Sequence, residues 1–294
     1  MPEDLVPCAA VPHHITAFFT PHWEPGDPLR TGSRGAGVVI DTLARACYGL
    51  GSGLEPNGPP ARALRILGAT PRASIHEPLP AARGYATSAA VTLAVALAAS
   101  AARGASLLAA ADAAHTAEVE SRTGLGDVLA LWSAAGGVAI RLRSGAPSVG
   151  LVDYLQAPPS LVLVTASRGE EGTPSLLARL SSEAVREAES RLERLSSEPS
   201  FEAFVKEATS YSLRVGWLKG LLGGYAERIL SMEGVLGGYA KKRVAVFIVE
   251  SDRAQDVAST LAAGGFDVRL HGFWRGGGPL VEWINPLQAP ASWG

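Results

Sequence analysis

The stretch that decides the fold is LPAARGYATSAA, which runs from Leu79 to Ala90. Its small residues lead directly into an apolar, alanine-rich run from Ser88 to Ala102, a composition that predicts a helix packed on all sides. Phosphates bind where several backbone N–H groups converge at the start of a helix, and small side chains let the backbone approach closely. The sequence therefore predicts a phosphate-binding loop, formed by Arg83, Gly84, Tyr85, Ala86, Thr87, Ser88 and Ala89. The alternative is a tight turn that only caps the helix.

A second stretch, EVESRTGLGD, runs from Glu118 to Asp127 and begins near the end of a predicted helix that Ser106 can cap. At 3.6 residues per turn, Glu118 shares a stripe with apolar residues of this helix, whereas Glu120 points to solvent. A carboxylate on a buried face is costly unless a metal or another partner compensates it. Glu118 and the hydroxyl of Ser88 are therefore predicted to bind Mg²⁺. The alternative is a salt bridge from Glu118 to an arginine.

Asp127 follows the glycine-containing turn Gly124-Leu125-Gly126, which can direct its carboxylate back toward the same place. We interpret Asp127 as the group that orients a hydroxyl nucleophile and accepts its proton. It forms the predicted catalytic group with Glu118 and Ser88. The alternative is that Asp127 only caps a helical segment over residues 128–134.

Two parts of the sequence offer groups that bind a carboxylate. The segment Thr31–Gly37 (TGSRGAG) contains Ser33 and Arg34, and Arg141 lies on the polar face of a predicted strand at Val138–Arg143. Hydroxyls and a bidentate guanidinium suit a carboxylate substrate. The alternatives are a flexible connection and an arginine on the surface. The six histidines show no metal-binding spacing.

The composition excludes several classes of protein. A net charge of −2 over 294 residues gives no general attraction to nucleic acid or membranes. The chain has four lysines, beginning at Lys206, so an anion site in the first two-thirds must use arginine, backbone N–H groups or a metal. Two cysteines indicate neither a disulfide scaffold nor a cysteine-based zinc site. The N-terminus does not resemble a signal peptide, and the longest apolar run is too short to span a membrane, so we expect a cytoplasmic protein.

Strands and helices alternate irregularly along the chain, which predicts the α+β class. A proline-containing stretch over residues 147–160 marks a predicted boundary between two domains, 1–155 and 156–294. Residues 49–60 are predicted to form a loop, residues 61–67 a strand, and residues 175–196 one helix. Further strands are expected at 14–20, 37–41, 72–76, 161–166, 244–250, 266–270 and 280–284, and further helices at 201–215, 225–232 and 254–263.

The stretch Leu79–Ala90 resembles the ATP-binding motif of the GHMP kinases, which include galactokinase, homoserine kinase and mevalonate kinase. That motif runs aliphatic, Pro, any, small, any, Gly, Leu, Gly, Ser, Ser, small, small. The chain departs from it at Tyr85, Ala86 and Thr87. The resemblance implies an N-terminal domain like the second domain of ribosomal protein S5, a ferredoxin-like C-terminal domain, and the use of ATP with Mg²⁺.

Within this superfamily the chain resembles the archaeal pantoate kinases. The likeness is carried by Pro12–Phe19, Thr31–Gly37, Ala114–Val119, Thr123–Val128, Gly136-Gly137 and Ile140-Arg141. It implies transfer of phosphate from ATP to pantoate in coenzyme A synthesis, with the substrate held by Ser33, Arg34, Arg141 and His14. A kinase for homoserine or a mevalonate-type acid, and a non-catalytic nucleotide or metabolite sensor, remain alternatives, and a homodimer is left open. The C-terminal half matches weakly: Gly234–Gly238 is the nearest candidate for the third, glycine-rich motif, and no residue there is given a catalytic role.

Overall fold

The computed structural model describes residues 5–285, which fold around two antiparallel sheets. Ten strands lie in this range: β1 Val6–His22, β2 Gly32–Gly53, β3 Arg72–His76, β4 Val138–Arg143, β5 Leu151–Leu155, β6 Leu161–Ser167, β7 Val235–Lys241, β8 Val244–Glu250, β9 Asp267–His271 and β10 Leu280–Ile284. The first sheet has the order β10-β1-β2-β4-β5, with β3 also paired to β2, and the second has the order β7-β8-β6-β9.

The same range contains ten helices: α1 Pro59–Ile66, α2 Thr87–Ala102, α3 Leu107–Glu120, α4 Asp127–Trp132, α5 Thr173–Ala178, α6 Ser182–Ser197, α7 Phe201–Arg214, α8 Trp217–Leu222, α9 Tyr225–Leu230 and α10 Ala254–Ala263. The alanine-rich helix α2 is buried along nearly its whole length, as its composition predicts. Ser106 caps α3, because its side chain accepts a hydrogen bond from the Ala109 N–H.

Of the three hydrophobic cores in residues 5–285, one packs the second sheet against helices α8–α10 and two involve the first sheet. One of these two lies between the first sheet and helices α1–α4. The other joins the first sheet to the second and contains Ile15, Val38 and Tyr239 together with residues of α6 and α7. The Tyr239 hydroxyl donates a hydrogen bond to the Ile15 carbonyl across this junction (2.8 Å). The end of β7 is thereby held beside the first sheet, and the candidate site lies there.

Several local predictions are wrong. Residues 61–66 lie in α1 rather than in a strand, because Pro59 begins a helix whose Ala61 and Leu64, three residues apart, are both buried. The expected loop over residues 49–60 begins later, since β2 extends to Gly53. The single helix expected over residues 175–196 is divided into α5 and α6, with Ser181 capping the second.

The strand predicted at residues 280–284 is present, but it pairs with β1 of the first sheet. The division into 1–155 and 156–294 stays a prediction, and this strand is the part of the second half that returns to the first sheet. Strand β5 lies inside the stretch predicted as a boundary. Cys8 and Cys47, opposite each other on β1 and β2, form a disulfide that the sequence analysis did not anticipate.

Across residues 5–285, no helix combines the length and apolar character needed to cross a membrane.

Candidate active site

The predicted phosphate loop lines a cavity of about 400 Å³ at the junction of the two sheets. Gly84 has a φ of +119°, and a Cβ added there would lie 2.7 Å from the Lys241 carbonyl oxygen. Only glycine therefore lets the loop approach the β7–β8 hairpin this closely. Ala86, which precedes α2, has a left-handed φ of +56°. The loop thus turns sharply into the helix, with the first backbone N–H groups of α2 beside the cavity.

The side chains of the loop have different surroundings. The Tyr85 side chain is buried between the sheets, where its hydroxyl donates to Thr165 Oγ1 (3.0 Å). The Thr87 hydroxyl donates to the carbonyls of Leu79 and Pro80. At these two positions the side chains are engaged within the protein, so the backbone is the part that remains for phosphate contacts.

Arg83 does not belong to the cavity lining, contrary to its assignment as a phosphate-binding residue. Its guanidinium donates to Asp267 Oδ2 (2.7 Å) and to Ser167 Oγ (3.2 Å), both on the second sheet. An ion pair with a nearby carboxylate competes with any phosphate for the same donors. Arg83 therefore ties the loop to the second sheet.

Glu118 lies on the buried side of α3, as the helical phase predicts, with 1% of its surface exposed. One carboxylate oxygen accepts from Ser88 Oγ (2.6 Å) and from Thr92 Oγ1 (3.1 Å). The other, Oε2, has no hydrogen-bond partner among the described residues, and a Cβ on Gly124 would lie 2.9 Å from it. Burial raises the pKa of Glu118 to about 7. The expected alternative, a salt bridge to arginine, is wrong.

Glu120 is exposed and forms an ion pair with Arg62 (3.0 Å). The unpartnered oxygen of Glu118 and the Ser88 hydroxyl fit a hard divalent cation such as Mg²⁺, which takes one or two protein oxygens and completes its shell with phosphate oxygens and water. In residues 5–285 no group of three or more His, Cys, Asp and Glu side chains could hold a metal by itself. A cation here would need the phosphates of a nucleotide as further ligands.

Asp127 is the first residue of α4, and Gly126 occupies the N-cap position. The alternative, in which Asp127 itself caps this helix, is therefore wrong. Its Oδ1 lies 2.8 Å from His14 Nδ1, 3.3 Å from Thr16 Oγ1 and 3.5 Å from Lys241 Nζ. Burial alone would raise the pKa of Asp127, but the charge of Lys241 and the hydrogen bond from His14 hold it well below its usual range. Asp127 is therefore ionised at neutral pH.

His14 is buried behind Asp127. It lines neither the phosphate-loop cavity nor the smaller cavity that adjoins it, so it does not have the position expected of a substrate-binding residue. Burial lowers its pKa to about 4, so the ring is neutral and has one N–H. Its Nε2 lies 3.5 Å from Arg141 Nη1, which can only donate. The N–H is therefore on Nδ1 and donates to Asp127, which orients the carboxylate.

A second, smaller cavity adjoins the first and shares Asp127, Thr173, Lys241 and Lys242 with it. It is lined by Ser33 and Arg141, two of the predicted carboxylate-binding residues. Arg141 is 1% exposed, so the alternative of a surface arginine is wrong. The Arg141 Nε donates to the Ser33 carbonyl (3.3 Å).

Gly126 allows two side chains to converge in this second cavity, and Arg34 lies outside it. A Cβ on Gly126 would lie 2.4 Å from Ser33 Oγ and 2.8 Å from Arg141 Nε, so glycine is needed for these groups to converge. Arg34, on the same strand as Ser33, lies outside the cavity and pairs with Glu189 of α6. The structure thus brings Ser33 and Arg141 together with Asp127 and leaves Arg34 out.

Lys241 and Lys242 are site residues that the sequence analysis missed. Lys241 Nζ donates to Thr16 Oγ1 (2.9 Å), and burial lowers the pKa of this lysine to about 8. Lys242 Nζ donates to Thr173 Oγ1 (2.8 Å), which in turn donates to the Thr123 carbonyl (2.5 Å). Both lysines line the cavity beside the predicted phosphate loop, where arginine, backbone N–H groups or a metal were expected to bind an anion. The available signal was a pair of adjacent lysines, half of the four in the chain, at the end of a predicted glycine-rich segment.

No protein-family model matches the chain. A pantoate kinase from Thermococcus kodakarensis is 32% identical to the chain over 246 residues, which cover 75% of this chain and 80% of that relative. A solved structure of a phosphotransferase related to the CoA biosynthesis pathway superposes with a TM-score of 0.78 at 24% identity, over 94% of this chain and 98% of that one. A homoserine kinase from Cytophaga hutchinsonii superposes with a TM-score of 0.63 at 13% identity, over 96% and 98% of the two chains.

Proposed function

This chain belongs to the pantoate kinase family and has the GHMP kinase fold, and on that premise we propose the roles of its residues in phosphorylating pantoate. The reaction transfers the terminal phosphoryl group of ATP to pantoate, giving 4-phosphopantoate and ADP, a step of coenzyme A biosynthesis. The observation that carries the assignment of roles is the position of Asp127, at the junction between the phosphate-loop cavity and the cavity that contains Arg141.

The first cavity is assigned to the nucleotide phosphates. The backbone N–H groups at the start of α2 supply donors and the positive end of a helix dipole. Lys241 and Lys242 add positive charge from the second sheet. Ser88 and Glu118 would hold Mg²⁺, which would neutralise charge on the phosphate oxygens. The unpartnered Oε2 of Glu118 supports this assignment.

The second cavity is assigned to pantoate. Arg141 pairs with the pantoate carboxylate, and Ser33 lines the same wall. Asp127 accepts a hydrogen bond from the primary hydroxyl and holds it toward the γ-phosphorus. A bond forms from that oxygen to phosphorus, the bond from phosphorus to the β,γ-bridging oxygen breaks, and the hydroxyl proton passes to Asp127. Because the pKa of Asp127 is low, the proton moves late, after the attacking oxygen has become acidic.

The charges around the second cavity disfavour homoserine as the acceptor. Its ammonium group would need an acidic partner, whereas the lining contains Arg141, Lys241 and Lys242 and one carboxylate, Asp127, which is already bound by His14 and Lys241. An anionic acceptor without an amine is the better match. Use of ATP also supports the cytoplasm as the place of action.

The experiment measures ADP release at fixed MgATP with pantoate, homoserine, mevalonate and galactose as separate acceptors. Pantoate should be turned over and the other three should not. Preferential turnover of homoserine or mevalonate would contradict the assignment of pantoate as the acceptor. Nucleotide binding without turnover of any acceptor would support the sensor alternative.

A further inference from the structure

One wall of the second cavity is apolar. It is formed by Phe19 at the end of β1, Leu125 in the turn before Asp127, and Leu176 and Leu177 on α5. Ser33, Arg141 and Lys241 line the same cavity. The catalytic roles assigned above do not use these four apolar residues, so the wall requires its own explanation.

We propose that this apolar wall is the subsite for the branched carbon of the acceptor, and that it makes the enzyme selective for a hydroxy acid with a quaternary carbon beside its primary alcohol. Pantoate carries two methyl groups on that carbon and is otherwise a 2,4-dihydroxy acid. The inference rests on the proposed function, because it concerns the same cavity and the same acceptor.

The wall is largely preformed, because three of its four side chains are buried. Phe19 is 6% exposed, Leu125 7% and Leu176 1%. These side chains are already fixed by packing, so they lose little conformational entropy when a ligand binds. Leu125 lies between Gly124 and Gly126, where an added Cβ would meet Glu118 or Ser33. The backbone on both sides of Leu125 is thus set by the catalytic groups themselves.

Helix α5 is held in place from two sides. The Thr173 hydroxyl donates to the Thr123 carbonyl, in the turn that leads to Leu125, and Lys242 donates to Thr173. These bonds join the leucines of α5 to the residues that hold the nucleotide and the reacting hydroxyl. The apolar wall and the reacting groups therefore form one unit, and an acceptor that fills the wall is also placed for reaction.

The polar groups of the site cannot discriminate between pantoate and the same acid without its two methyl groups. Arg141, Ser33 and Asp127 would bind the carboxylate and hydroxyls of an unbranched 2,4-dihydroxy acid just as well. A single methyl group in a hydrophobic pocket changes kcat/KM by about 10- to 200-fold. Removal of both methyl groups should therefore lower kcat/KM by about 10²-fold or more.

The test compares pantoate with 2,4-dihydroxybutanoate, which is pantoate without its methyl groups, by ADP release at saturating MgATP. In the wild-type enzyme kcat/KM for pantoate should exceed that for the unbranched acid by about 10²-fold or more. Leu177→Ala should reduce this ratio at least ~10-fold, by lowering kcat/KM for pantoate while that for the unbranched acid changes little.

Leu180→Ala is the matched control, because Leu180 follows α5, is also half-buried, and lies outside both cavities. It should leave the ratio unchanged. If Leu177→Ala fails to fold in a thermal unfolding scan, the wild-type ratio of kcat/KM for the two acids decides the question.

The possible failures are distinct. Turnover of both acids with similar kcat/KM would overturn the subsite and leave the proposed function intact. An equal loss of activity toward both acids in Leu177→Ala would show that this leucine supports the fold of the site and does not make the enzyme selective for the methyl groups. Absence of turnover with pantoate would overturn the proposed function, and the subsite with it.

Discussion

The substitution Asp127→Asn tests the centre of the proposed mechanism. It removes a negative charge that lies 2.8 Å from His14 Nδ1 and 3.5 Å from Lys241 Nζ, while the shape of the side chain is kept. The amide oxygen can still accept from His14 and Thr16, so the fold and the phosphate loop should be preserved. The variant loses the group that accepts the hydroxyl proton and orients the hydroxyl.

Loss of a positioned general base typically lowers a rate by about 10²- to 10⁴-fold, which is about 2.7–5.4 kcal/mol of transition-state stabilisation. We expect kcat to fall by at least ~10²-fold, since the wild-type residue is ionised at neutral pH and the whole charge is lost. The affinity for ATP, measured by calorimetry, should change little. The hydrogen bonds of the Asp127 carboxylate come from His14 and Thr16, and neither residue belongs to the loop at residues 84–89.

The assay is coupled ADP release at saturating pantoate and MgATP, with thermal unfolding as a check on folding. The control is Asp153→Asn, because Asp153 is an exposed aspartate on β5 of the first sheet, and this variant should retain the wild-type rate. A folded Asp127→Asn variant that kept more than about half of the wild-type kcat would refute the assigned role.

Four further outcomes are expected. Glu118→Gln should raise the Mg²⁺ concentration needed for half-maximal activity and Glu120→Gln should not, since only the first carboxylate is buried beside the phosphate loop; equal effects in the two titrations would remove the metal role. Arg141→Ala should raise the KM for pantoate by about 10- to 150-fold and leave the KM for ATP nearly unchanged, since a charge-assisted pair contributes about 1.5–3 kcal/mol; a change mainly in the KM for ATP contradicts the assignment. Burial lowers the pKa of Lys241 to about 8, so its positive charge is present below that pH and lost above it, and kcat/KM should fall on the alkaline side near pH 8. Lys241→Arg should move this alkaline fall in kcat/KM to higher pH. If the fall stays at the same pH, it belongs to the titration of another group. Ala86→Gly should stabilise the protein by about 0.5–1 kcal/mol in denaturant unfolding, because alanine is strained at the left-handed φ of this position by about 1–2 kcal/mol and glycine is not; a destabilised variant would show that the strain is relieved elsewhere.

Local features of the sequence were sufficient for much of the site. The small residues before α2 indicated a tight loop that leads into a helix, because backbone approach and helix initiation depend on neighbouring residues. That this loop binds phosphate stays a prediction. The period of α3 placed Glu118 inside and Glu120 outside, since every residue of a helix turns by the same angle. The turn at residues 124–126 indicated that Asp127 is directed back to the same place.

Other features were decided by the tertiary structure. Whether an arginine meets a ligand or another side chain depends on partners far away in the sequence: Arg83 pairs with Asp267, Arg34 pairs with Glu189, and Arg141 is buried beside His14. Strand alternation placed Arg141 on one face of β4 but could not show that this face is covered.

The sequence by itself determined the turn into α2, the phase of the Glu118 helix and the resemblance on which the family assignment began. The tertiary structure alone decided that Lys241, the last residue of β7, and Lys242 after it line the same cavity as the loop before α2, which is the proposed phosphate site. The physical reason is that periodicity fixes which face a residue occupies within its own element, whereas the neighbours across that face are set by packing of the two sheets around Tyr239 and Ile15.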